Sequence, residues 1–163
     1  MVVEVHTLDD PDICVLIVED HEPFREYIIA KLRTQTRLQI VSEVGDGAEA
    51  VQQVKRLQPD LVLLDVGLPT LNGIEVARQI QEASPNTKII FVSENRSSDV
   101  AEEALRAGAL GYVVKSDAEK DLLPGIDAVL QGRRFLSTTL AGQMLMTAAL
   151  SPTLAILCWI LTL

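Results

Sequence analysis

The chain has 163 residues, 48% of them hydrophobic and 23% charged, which suits one compact domain with an extension and excludes a disordered or fibrous polymer. Its 23 acidic residues outnumber its 14 basic ones, for a formal net charge of −9, so binding a phosphate backbone is not its main activity. Every Asp, Glu, Lys and Arg lies between Met1 and Arg134, and the 29 residues from Phe135 to Leu163 carry no charge.

Taken in chain order, the first segment, 1–12, lacks Lys and Arg and a long apolar core. It is therefore not a signal peptide, and a cytoplasmic body is expected behind it. Cys14 and Cys158 make no disulfide framework, and Cys14 reads as a buried thiol. Five short apolar runs then recur: Ile13–Val18, Leu38–Val44, Leu61–Leu64, Lys88–Val92 and Leu110–Val114. Their starts are 25, 23, 27 and 22 residues apart. Rich in Val, Ile and Leu, they predict buried parallel strands.

Helical spacing fills the gaps. Phe24, Ile28 and Leu32 share a face, as do Val51 and Val54, then Val76, Ala77 and Ile80. Leu122, Leu123, Ile126, Val129 and Leu130 form a wide stripe. Asp46 and Ser116 each precede a Glu three residues on, which predicts two capping boxes. Pro124 falls inside the last stripe, so it either kinks that helix or delays its start. Five strand–helix alternations predict an α/β fold, an open, doubly wound, five-stranded parallel sheet covered on both faces.

In such sheets ligands bind beyond the carboxyl ends of the strands. Glu19 and Asp20 follow the first strand, Asp65 the third, Ser93 the fourth and Lys115 the fifth. Three converging carboxylates repel one another unless a cation sits among them, and Mg²⁺ or Mn²⁺ is the natural resident. With a lysine and a hydroxyl nearby, the set suits phosphoryl transfer to an aspartate. Asp65 is the best nucleophile, because it closes a wholly apolar strand.

These residues also carry a resemblance. From Ile13 to Leu130, 118 of the 163 residues, the chain resembles the receiver domain of two-component response regulators. The matching motifs are Val18-Glu19-Asp20, Leu63-Leu64-Asp65-Val66-Gly67-Leu68-Pro69 with Gly73 beyond, Val92-Ser93, and Gly111-Tyr112-Val113-Val114-Lys115. The resemblance implies the flavodoxin-like (βα)₅ receiver fold. It implies that Asp65 is the phosphoacceptor, served by a sensor histidine kinase or a phosphotransfer protein. It implies Glu19, Asp20, Asp65 and the Gly67 backbone carbonyl as ligands of Mg²⁺ (or Mn²⁺). Lys115 would pair with a phosphoryl oxygen, Ser93 would bond another, and Tyr112 would turn inward as the switch. The face from about Ser97 to Leu130 would report the change.

Two departures stand out. The acidic pair is Glu-Asp and not Asp-Asp, which keeps the charge. Ser116 follows the lysine where many receivers have proline, which alters the loop but not the chemistry. The stretch from Leu122 to Ser137 resembles the end of NarL/LuxR-like receivers, which normally continue into a DNA-binding domain.

Two other functions compete. A Mg²⁺-dependent phosphohydrolase with an aspartyl-phosphate intermediate needs an Asp two residues after its nucleophile, where this chain has Gly67. A receiver-like interaction module that is not phosphorylated would lack one of the acidic residues or Lys115, and none is missing. The expectation is a phosphoacceptor signalling domain and not an enzyme with substrate turnover, at most catalysing its own phosphorylation and dephosphorylation. His21 reads as a solvated loop residue and Arg96 as a solvated helix charge.

The organisation that follows is an extension at 1–12, a receiver at 13–131, a linker at 132–139 and an uncharged hydrophobic tail at 140–163. The tail has no basic residue, so direct nucleic-acid binding is not expected. It is long enough to cross a bilayer, but Pro152 divides it. A membrane anchor, a helix packed on the receiver or in a homodimer, and a remnant without a role are its three readings.

Overall fold

The computed structural model describes residues 12–150. The expectations for residues 1–11, for Cys158 and for the second half of the tail lie outside the described residues.

Strand β1 (Ile13–Val18) is the centre of the sheet's first half, pairing in parallel with β2 (Leu38–Val44) on one side and β3 (Leu61–Leu64) on the other. Beyond β3 come β4 (Lys88–Ser93), β5 (Gly111–Val114) and β6 (Phe135–Leu136), giving the order β2-β1-β3-β4-β5-β6. Every pairing is parallel. β3 and β5 are buried at every residue, as expected of strands covered on both faces. β2 lies at the edge, where its burial alternates, and a register shift leaves Val41 as an extra, exposed residue.

The helices are α1 (Glu22–Arg33), α2 (Gly47–Leu57), α3 (Gly73–Ala83), α4 (Ser98–Arg106), α5 (Ala118–Leu130) and α6 (Thr138–Leu150). The two faces of the sheet build two cores. One joins Val15, Ile17, Leu63, Val92 and Val113 to Ile28 and Leu32 of α1 and Leu122 and Ile126 of α5. The other joins Leu16, Val18, Leu64, Phe91 and Tyr112 to Val54 of α2, Ile80 of α3 and Ala104 of α4. The doubly wound α/β fold is thus the one the strand rhythm predicts.

Several details differ from the sequence expectation. Among the described residues the sheet has six strands and not five. β6 lies within 132–139, where Phe135 N–H donates to the Leu110 carbonyl at 3.0 Å and Ser137 N–H to the Tyr112 carbonyl at 2.8 Å. Two residues are too few to show a period. Asp46 does cap α2, accepting from Glu49 N–H at 3.0 Å, but Ser116 does not cap α5. A 3₁₀ turn at Lys115–Asp117 delays the helix to Ala118, and Ser116 Oγ accepts from Arg96 instead, at 3.0 Å. Arg96 accordingly sits in the loop before α4 and not on a helix. α5 runs through Pro124, on the exposed side, where the Lys120 carbonyl forgoes its usual donor. Cys14 is half-buried and not fully enclosed.

The first half of the uncharged tail is helical and packed. Leu140 and Met144, one turn apart, are buried, with Leu140 in the same core as Tyr112, Ala101 and Ala104. Asp121 in α5 clamps the start of α6, accepting from Thr138 N–H at 2.8 Å and from Ser137 Oγ at 3.2 Å. Leu145 and Met146 face outward. Among the described residues no helix is long and apolar enough to cross a membrane.

Candidate functional site

The strand order reverses between β1 and β3, because the chain leaves β1 for β2 on one side and returns to β3 on the other. Such a point opens a crevice at the carboxyl ends. The register aligns Val18 with Leu64, so the next residues, Glu19 and Asp65, come side by side. Asp65 N–H donates to the Val18 carbonyl at 3.0 Å, which carries the ladder one step beyond β3 and fixes the acid's backbone. On the other flank Ser93 pairs with Val114, placing Lys115 directly after the Ser93 level.

The side chains meet as the sequence predicts for the acidic residues and the lysine. Oxygens of Glu19, Asp20 and Asp65 all lie within 4.8 Å of one another. Lys115 Nζ lies 2.6 Å from Glu19 Oε2 and 3.3 Å from Asp65 Oδ2. Glu19 and Asp65 are buried, whereas Asp20 is exposed. Gly67 N–H donates to Asp65 Oδ1 at 3.2 Å, which orients the carboxylate from below. His21 is exposed, and its N–H donates to Glu19 Oε1 at 2.9 Å.

Electrostatics at this edge are unbalanced. Burial raises the Glu19 pKa, and the nearby Asp65 charge adds to the rise against the lowering contacts of Lys115 and His21. For Lys115, burial alone would lower the pKa, but its contacts with Glu19 and Asp65 outweigh that and hold it raised and charged. Glu19 Oε2 has no aligned hydrogen-bond donor, despite the closeness of the Lys115 ammonium. Three carboxylates sharing one ammonium keep an excess of negative charge, which fits a hard oxygen-seeking cation.

Ser93 and Tyr112 sit on the adjacent strands. Tyr112 is fully buried and points inward, and its hydroxyl donates to the Asn95 carbonyl at 2.8 Å. Burial raises its pKa, so it remains a donor. Ser93 Oγ accepts from Asn95 N–H at 3.2 Å. Asn95 therefore joins the serine and the tyrosine, and its own side chain accepts from Ser97 N–H at 2.9 Å ahead of α4.

One glycine is required here. A Cβ on Gly73 would lie 2.1 Å from the Asp65 carbonyl oxygen and 2.8 Å from Val66 Cα. The first turn of α3 thus rests directly on the backbone of Asp65.

Sequence reasoning missed three contributors. Asn95 acts through backbone groups, which a residue pattern does not display. Arg25 donates from Nη1 to the Glu19 carbonyl at 2.9 Å, fixing the loop after β1. Phe24, read only as part of a helical face, lies with its ring centroid 4.6 Å from Lys115 Nζ. The adjacency of Phe24-Arg25 to the acidic pair was the available signal.

Comparison with known proteins places this geometry. Residues 15–127 match the family model described as the response regulator receiver domain. The chain is 32% identical over 130 residues to the response regulator GacA of Pseudomonas viridiflava, covering 80% of this chain and 61% of that protein. It is also 32% identical over 131 residues to the transcriptional regulatory protein LiaR of Bacillus subtilis, covering 80% and 62%. A LuxR-family two-component response regulator from Aurantimonas superposes with a TM-score of 0.81 at 30% identity, covering 85% of this chain and 99% of that one. The chain spans about 60% of the length of the curated relatives it matches. With the family match covering more than half of its residues, the chain belongs to the response regulator receiver domain family of two-component signalling proteins.

Proposed function

We propose that Asp65 is the phosphoacceptor of this receiver and that it takes its phosphoryl group from a histidine kinase or a phosphotransfer protein. One observation carries the reading: the Asp65 carboxylate faces a charged lysine at 3.3 Å within a three-carboxylate cluster. An oxygen of Asp65 attacks phosphorus, and the bond to the donor, phosphohistidine nitrogen or the carboxyl oxygen of acetyl phosphate, breaks. The leaving group departs with the electron pair. Lys115 moves from carboxylate to phosphoryl oxygen and offsets its charge.

Glu19, Asp20 and Asp65, with the Gly67 carbonyl, are the residues to hold Mg²⁺ (or Mn²⁺). Bound there, the cation would neutralise oxygen charge on the phosphoryl group. The convergence of the three carboxylates, whose charge one lysine only partly offsets, supports that assignment.

Ser93 supplies a hydroxyl to a further phosphoryl oxygen. In doing so it would give up its bond from Asn95 N–H, loosening the loop that Tyr112 grips. The reporting face then includes α4 and the α6 segment seated on it. The proposed output is a protein contact in the cytoplasm, and the segment Phe135–Leu163, which has no Lys or Arg, offers no charge for a phosphate backbone. Gly67 stands where a phosphohydrolase would need its general acid, which supports signalling without substrate turnover.

The test is stoichiometric labelling by acetyl phosphate with Mg²⁺ present. One phosphoryl group per chain, lost in Asp65→Ala and on chelation, is the expected result. Label that survives Asp65→Ala overturns the assignment.

A further inference from the structure

Lys115 has a third neighbour that neither acid–base chemistry nor the family assignment uses. Its Nζ lies 4.6 Å from the centroid of Phe24, in the first turn of α1. The Phe24 ring stacks on Tyr27, one turn along, with centroids 5.5 Å apart and planes at 30°. The Tyr27 hydroxyl donates to Glu119 Oε2 at 2.7 Å. Lys31, a further turn along, holds Glu119 Oε1 at 2.8 Å and the Glu119 carbonyl at 3.1 Å. Helix α1 therefore grips the segment Lys115–Glu119 at both ends, by a ring face at the lysine and by a hydroxyl and an ammonium at the glutamate.

We propose that Phe24 is a positioning residue for Lys115, holding the ammonium beside Asp65 by a cation–π contact that α1 braces through Tyr27 and Glu119. The proposal rests on Lys115 serving the phosphoryl group at Asp65.

The physical need is clear from the charges. Lysine has a flexible four-carbon stem and loses rotamer freedom when its ammonium is fixed. Glu19 fixes it at 2.6 Å, but Glu19 is also a ligand expected for the cation. A cation held by Glu19 would weaken the lysine's hold there. An aromatic face is neutral, takes no part in ligating Mg²⁺, and still attracts the ammonium. Phe24 is thus the partner that keeps Lys115 in place when its carboxylates are shared. The brace does not titrate in the working range: burial and Glu119 push the Tyr27 pKa to about 12, so its hydroxyl stays a donor.

The experiment compares Phe24→Leu and Phe24→Tyr with the parent full-length chain. In metal-free protein, ¹³C-lysine NMR should place the Lys115 ε-methylene signals upfield of the other lysines through the ring current. Phe24→Leu should remove that shift and Phe24→Tyr should keep it. With excess Mg²⁺, Phe24→Leu should be phosphorylated by acetyl phosphate about two- to five-fold more slowly, the size expected for one partly exposed cation–π contact. Phe24→Tyr should restore the rate, and Mg²⁺ affinity should stay within about two-fold in both, because neither variant alters a ligand.

A parental rate in Phe24→Leu, or a slow Phe24→Tyr, overturns the proposal, as does an unshifted Lys115 signal in the parent. If the parent accepts no phosphoryl group, the functional reading falls by itself, and the NMR comparison still decides whether Phe24 holds the lysine. Should Phe24→Leu fail to fold, Phe24→Met serves as the ring-less variant under the same criteria.

Discussion

The hydroxyl of Tyr112 and the backbone carbonyl of Asn95 form a hydrogen bond of 2.8 Å that ties the middle of β5 to the loop between β4 and α4. The same Asn95 gives its N–H to Ser93 Oγ. The Ser93 hydroxyl, proposed to serve a phosphoryl group, and a tyrosine in the core are therefore joined through one residue. A shift of Ser93 toward Asp65 would act on Tyr112 through the main chain of Asn95 and through the side-chain contact of the serine with the tyrosine.

Tyr112→Phe removes the hydroxyl and leaves the fully buried ring in place. The expected cost is that of one neutral hydrogen bond, about 0.5–1.5 kcal/mol in urea denaturation. Phosphorylation by acetyl phosphate should keep its rate, since Tyr112 touches no reacting atom. Amide exchange at residues 94–98 should accelerate. Unchanged exchange there would mean that the bond does not hold the loop.

Gly73→Ala tests the packing of α3 on Asp65. The added methyl would lie 2.1 Å from the Asp65 carbonyl, a distance that backbone alone must relieve. Overpacking at such a site costs about 1–3 kcal/mol. If Asp65 is the nucleophile, phosphorylation should fall by more than the stability loss explains, because the displaced group is its own peptide unit. A stable, fully phosphorylated Gly73→Ala would show that α3 can shift without moving Asp65.

Much of the site was legible in the sequence because two periods coincide there. Apolar runs of strand length end at one edge, and the residues after them, Glu19, Asp65 and Lys115, are charged. Strand pairing then turns sequence position into adjacency. What could not be read depends on contacts without a period. Ser116 has the spacing of a cap, but a 3₁₀ turn occupies its place and Arg96 takes its hydroxyl. β6 forms from backbone bonds of Phe135 and Ser137. Asn95 works through a carbonyl and an N–H that every residue has. Leu140 and Met144 show the i,i+4 spacing of a buried face, yet in a chargeless segment that signal is lost among apolar neighbours.

Mg²⁺ should stabilise the folded chain, because the cluster of Glu19, Asp20 and Asp65 exists only when folded. At about 100-fold above its Kd, a ligand specific for the native state adds about 2.7 kcal/mol. For a domain of this size that raises Tm by about 5–10 °C. Glu19→Gln removes a buried carboxylate charge of the cluster and should cut this shift by more than half. Thermal unfolding with a chelator and with excess MgCl₂ reads both. Equal shifts in parent and variant would take Glu19 out of the ligand set.

Acid should release α6 before it unfolds the sheet. Asp117 accepts from Ser137 Oγ at 2.6 Å and from Thr139 N–H at 3.4 Å, at the start of the helix whose Leu140 and Met144 are buried on the core. The Ser137 hydroxyl is the largest cause lowering the Asp117 pKa below its ordinary 3.8, and the charge of Lys120 acts in the same direction. A carboxyl with a lowered folded-state pKa contributes stability that is present above its ordinary value and lost as pH falls through the lowered one. Between neutrality and about pH 4 the attachment of α6 should thus be constant. Below that, amide exchange in residues 139–146 should rise ahead of exchange in β1 and β3. Asp117→Asn cannot ionise, so it should show faster α6 exchange already at neutral pH and a weaker dependence on acid. Exchange in α6 that follows global unfolding at every pH, in parent and variant alike, would mean that Asp117 does not secure the helix and that Asp121 and the buried apolar residues keep it seated.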